Sequence, residues 1–208
     1  MSLMTLKQAV MSSGGTPPPS SFYWNPADKS PDVDLSDSDK LATNPDVGSF
    51  SSVRSVTSHN SGKRYAELPY VAGPLWGVFS GLATAAFNLS GAYLGQGTDS
   101  WGLQTDDGGL SKLYRNASNI GSIATISGNY SRWAVDFDAG NAWVGNSSAW
   151  IGGGDPAAGT SPSFTFTPGT TLFLASSLYF SGSAGQMRAR TGDSDFVGTK
   201  PTGFGAWG

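Results

Sequence analysis

Glu67 is the only glutamate in a chain of 208 residues. Helix surfaces are normally filled with Glu, Lys, Gln and Arg, and here that supply is missing. Charged residues make up 13% of the chain, against roughly 25% in ordinary soluble domains. In their place stand 29 glycines, abundant Ser and Thr, and 12% aromatics. This mixture suits short strands and frequent turns. The expectation is an all-β chain, with at most one helical turn at 83–87.

The segment at 133–144, W-A-V-D-F-D-A-G-N-A-W-V, reads as two alternating strands joined by a tight turn. Val135 and Phe137 point one way, and Ala134, Asp136 and Asp138 the other. Asp138-Ala139-Gly140-Asn141 supplies the turn, because Gly accepts positive φ and Asp and Asn bond their own backbone. Further strands are expected at 63–68, 75–79, 101–105, 110–115, 163–167, 171–177 and 187–190. Residues 24–60 read as polar and turn-rich. Many short strands between turns imply an antiparallel two-sheet β-sandwich.

Residues 1–21 read as an N-terminal arm and linker, ahead of a sandwich at 22–208. The stretch 12–21, S-S-G-G-T-P-P-P-S-S, is a flexible Gly/Ser segment running into a proline-stiffened one. It serves either as a loose terminus or as an arm that docks on a neighbouring subunit.

Net charge is −3, and residues 133–187 hold no Lys or Arg. A phosphate backbone demands the opposite, so no nucleic-acid partner is expected. Cysteine is absent, which removes disulfides and thiolate metal sites. No run approaches the ~20 apolar residues of a membrane span, and the N-terminus lacks a signal-peptide core. A protein made in a cytoplasm is expected.

Several motifs together resemble the SPRY domain, a concanavalin-like sandwich of jelly-roll type. Ser61-Gly62-Lys63-Arg64-Tyr65-Ala66-Glu67 is similar to that family's S-G-K-x-Y-x-E strand. The 133–144 hairpin is similar to its D-x-D-x-G hairpin, with Asn146-Ser147 where the family usually has Asn-Gly. Asp155-Pro156-Ala157-Ala158-Gly159-Thr160 matches the next loop, and Pro201-Thr202-Gly203-Phe204 resembles the P-x-G-F ending of bacterial and phage versions. The resemblance implies a non-enzymatic binding module without cofactor or metal. It further implies a structural or attachment component of a phage-like virion, in the head or tail. Its partners would be other particle proteins and its own copies, reached through the arm and loops. The alternative is a lectin-like module for host-surface glycans, and a glycan hydrolase ranks last.

The hydrolase would rest on Asp136 and Asp138, which share a strand face at a spacing that acid–base pairs use. A turn at Asp138 and a solvent-facing Asp136 explain both more simply. Asp32, Asp34, Ser36 and Ser38 alternate like the oxygens of a calcium loop, but Asp37 stands at the sixth position, where Gly is required. His59, the single histidine, is expected on a surface loop. Trp76, Trp101, Trp133 and Trp143 are expected in core strands. Tyr93, Tyr130 and Trp150 fall in Gly-rich stretches, where loop rings serve as binding anchors or fold back as plugs.

Overall fold

The computed structural model describes residues 23–126 and 129–208. The expected arm at 1–21 lies outside the described residues. The strands run in the order β1 (Trp24–Lys29), β2 (Asp34–Ser36), β3 (Leu41–Asn44), β4 (Ser51–His59) and β5 (Lys63–Ala72). Then come β6 (Val78–Ala83), β7 (Ser100–Gln104), β8 (Leu110–Arg115), β9 (Ser118–Ala124) and β10 (Tyr130–Asp136). The last are β11 (Asn141–Gly145), β12 (Phe164–Thr165), β13 (Leu172–Leu178), β14 (Gly185–Arg188) and β15 (Gly205–Ala206). The first sheet has the order β1-β4-β13-β6-β7-β8-β9, and the second β12-β11-β10-β5-β14-β3-β2. All these pairings are antiparallel except β15, which adds to β5 in parallel. The expected two-sheet sandwich is therefore the observed one.

The core lies between the sheets, where alternation places Val53, Leu82, Leu103, Leu113 and Leu174 of the first against Leu68, Trp133, Val135 and Val144 of the second. One polar pair interrupts it. The Ser80 and Ser131 hydroxyls meet across the interior at 2.7 Å, and the Trp133 indole donates to Ser131 at 3.1 Å. Each buried hydroxyl thus has a partner.

The hairpin forms as its sequence implies. Asp136 pairs with Asn141 at its closed end, and Gly140 takes φ of 68°. A Cβ there would sit 2.2 Å from the Phe166 carbonyl oxygen, so a close approach as well as a turn requires glycine.

Other expectations change. Residues 24–60 hold four strands, because the polar side chains of β4 are satisfied internally. Ser52 and Ser177 share a hydrogen bond of 2.7 Å. The Arg54 guanidinium donates twice to Asp28, at 2.8 Å each, and to the carbonyls of Thr84, Ala85 and Phe87. The expected strand at 75–79 is a 3-10 turn at Leu75–Gly77 followed by β6. Trp76 consequently stands 47% exposed instead of in the core. His59 is no surface loop residue: it ends β4, half-buried, with Nε2–H donating to the Trp207 carbonyl at 2.6 Å. Residues 84–87 close a single turn. Among the described residues, no helix is long and apolar enough to cross a membrane.

Candidate functional site

Part of each sheet's outer face is covered as well as its inner one. The segment 84–99, between β6 and β7, lies over the first sheet and buries Phe87 and Leu94 against Phe79, Ala83 and Ala175. The Leu94 amide donates to Ser177 at 3.0 Å, and Ser52 donates to the Ala92 carbonyl at 3.3 Å. The second sheet is covered by Trp150 and the chain's last residues, with Phe196 and Phe204 packed on Tyr65, Ala134 and Trp143.

This layering decides the fate of the three rings singled out by sequence. Trp150 is half-buried on the second sheet, with the Arg132 guanidinium 4.3 Å from its ring centre. Tyr130 is not a loop residue: it opens β10 and is 8% exposed. Burial and the neighbouring Glu67 carboxylate raise its phenol pKa. Tyr93 lines an opening, half-buried on the first sheet, with its ring centre 5.0 Å from Phe79 and 5.3 Å from Phe50.

Around Glu67 the second face is sealed. Oε1 accepts from the Tyr65 hydroxyl at 3.0 Å and from the Gly198 amide at 2.7 Å, while Oε2 accepts from the Val197 amide at 2.9 Å. Arg190 adds a cation at 3.8 Å. Burial, then the Glu67 charge, pushes the Tyr65 phenol pKa far up, so the hydroxyl stays a donor. These contacts staple the C-terminal segment to β5.

Asp136 is also not the solvent-facing residue expected. It is 7% exposed, accepts from the Ala139 amide at 3.0 Å and pairs with Lys63 at 3.2 Å. Asp138 accepts from the Gly62 amide at 3.0 Å. Both carboxylates are engaged by the hairpin and its neighbour. A cleft of about 450 Å³ beside Arg188 and Lys40 is crossed by the Arg188–Asp37 and Lys40–Asp195 ion pairs. Among the described residues, no group of three or more His, Cys, Asp or Glu is placed to hold a metal ion.

The open aromatic surface is a bowl of about 240 Å³ on the outer face of the first sheet, lined by Phe50, Trp76, Phe79, Tyr93, Gln104 and Tyr114. Tyr179 extends it, 4.9 Å from Trp76 and 5.1 Å from Phe50 between ring centres. Every lining side chain is neutral. Burial raises the Tyr114 phenol pKa, which keeps that hydroxyl protonated. Gln104 donates from Nε2 to the Trp76 carbonyl at 2.6 Å. Its Oε1 is buried and accepts no hydrogen bond from the described residues.

In structure the chain is similar to the TRIM65 PSpry domain, with a TM-score of 0.60 and 14% identity over 81% of this chain and 88% of that one. It is similar to the SPRY domain of human HERC1, with a TM-score of 0.59 and 13% identity over 80% and 96%. A further human SPRY domain gives 0.53 and 18% over 82% and 97%. The fold is that of a SPRY domain. No family model matches the sequence, and no curated protein matches it significantly.

Within this SPRY-type sandwich, sequence reasoning found one bowl residue, Tyr93. It missed Phe50, Phe79, Gln104, Tyr114 and Tyr179 and put Trp76 in the core. Strand alternation carried a usable signal: Phe79 and Gln104 lie opposite in register on neighbouring strands, so both point outward together.

Proposed function

We propose that this chain is a non-catalytic interaction module that contacts protein partners through the aromatic bowl, and that it serves as a structural component of a phage-like particle. The observation that carries the contact surface is Trp76, 47% exposed beside a cluster of half-buried rings. Exposed aromatic rings in a concavity are the usual anchors of a protein interface. The particle role is supported by the P-T-G-F ending, which resembles phage versions of the domain, by the low charge and by the proline-rich segment ahead of the sandwich.

The test is recovery of the chain in sedimented particles, for the parent and for Trp76→Ala and Tyr93→Ala, with near-UV circular dichroism to confirm folding. Each variant is expected to lose roughly 2 kcal/mol or more of contact energy and most of its recovery. Parent-level recovery of both removes the bowl from the interface. Absence of the parent from particles removes the particle role.

A lectin-like role has one observation in its favour: neutral aromatic rings line the bowl, which suits a sugar's apolar face. A glycan array distinguishes the two.

A further inference from the structure

We propose that the bowl receives the proline tract Pro17-Pro18-Pro19 of a second copy of this chain. The proposal rests on the bowl being a contact surface and names its occupant. Residues 12–21 carry no charge, and neither does the bowl lining. Consecutive prolines favour the polyproline II helix before they bind, and such helices dock in aromatic-lined grooves at low entropic cost. Phe50, Trp76, Tyr93 and Tyr114 supply ring faces of that kind.

Another concavity, beside Arg115, does not fit. There the guanidinium lies 4.1 Å over the Trp101 ring and threonines form the wall, so the flat ring face is already taken.

Geometry assigns the tract to a neighbour. The chain enters the sandwich where the Tyr23 carbonyl accepts from the Val56 amide at 3.1 Å. Phe79, in the bowl, lies three strands across from β1 and nearer the start of β4. Strand spacing and rise put the two roughly 20 Å apart. Pro19 lies four residues before Tyr23 and Pro17 six, reaches of about 13 Å and about 20–22 Å when fully extended, so Pro19 falls short and Pro17 arrives only on a fully straightened path. β1 runs from Ser55 toward Val53, so Tyr23 stands at the end of that strand farther from the bowl. The segment 84–99 lies between. A second copy meets none of these limits. One arm per bowl is a heterologous contact, which closes into a ring or continues as a chain of subunits.

The test uses the full chain. Sedimentation velocity over a concentration series is expected to show reversible self-association of the parent. The variant Pro17→Ser/Pro18→Ser/Pro19→Ser and Trp76→Ala should each associate roughly thirtyfold more weakly, the factor given by loss of one interface anchor. A synthetic peptide of residues 12–21 is then titrated into the triple proline variant. Trp76 is the exposed tryptophan, so the peptide should shield fluorescence from acrylamide quenching, and Trp76→Ala added to that variant should abolish the shielding. A monomeric parent with no peptide shielding overturns the proposal, as does a triple variant that associates like the parent. If the peptide fails but Trp76→Ala still abolishes particle recovery, the occupant is wrong and the bowl stands. If Trp76→Ala changes neither association nor recovery, the bowl itself is wrong.

Discussion

Glu67 shows what one buried carboxylate can organise. Burying a charge is costly unless hydrogen bonds surround it, and Glu67 is 0% exposed with two amides and a phenol donating to it. Glu67→Gln replaces an acceptor by a donor facing those donors, and should cost about 2–3 kcal/mol. Gly198 belongs to the same contact. A Cβ there would lie 2.7 Å from the Tyr130 hydroxyl and 2.9 Å from Glu67 Oε1. Gly198→Ala should therefore cost about 1–3 kcal/mol through forced displacement. Urea unfolding with an unchanged m-value checks both, and midpoints equal to the parent's would show that the staple carries no stability.

At the scale of elements, the C-terminal segment clamps the sandwich, and His59 is where it can be probed. β15 adds to β5, and Trp207 packs edge-on to His59 with ring centres 5.2 Å apart. Burial, helped by the Arg64 charge, lowers the His59 pKa below its ordinary 6.5, although the bond to the Trp207 carbonyl pulls the other way. The unfolded chain therefore takes up a proton near pH 6.5 while the folded one resists. Stability from this group is complete above that pH and is lost as the pH falls through the lower native value, at up to about 1.4 kcal/mol per pH unit. Unfolding free energies between pH 8 and 5.5 should decline more steeply for the parent than for His59→Asn. Equal slopes would dismiss the effect.

For the whole molecule, the sheets close around residues from Trp24 onward, and Trp24 itself is fully buried. A chain starting at Tyr23 should fold alone. In dilute solution its thermal midpoint should lie within about 3 °C of the full chain, less than 1 kcal/mol of stability for a domain of this size. A larger drop would place residues 1–22 against the sandwich of their own chain.

The sequence by itself determined the fold class and the 133–144 hairpin. Both follow from local chemistry: the shortage of helix formers, alternation along the strand, and a glycine where φ must be positive. The tertiary structure alone decided which faces are covered. In β10 every residue is buried, because the C-terminal segment lies on one side and the other sheet on the other. Alternation cannot distinguish an outer face under such cover from an inner one. Serine-rich β4 looked like loop because its partners, Ser177 and Asp28, lie on other strands. The bowl escaped for the same reason. Its rings come from the residue before β4, the turn before β6, β6 itself, the cover segment 84–99, β8 and the residue after β13, and only long-range strand pairing brings them to one place and leaves Trp76 in the open.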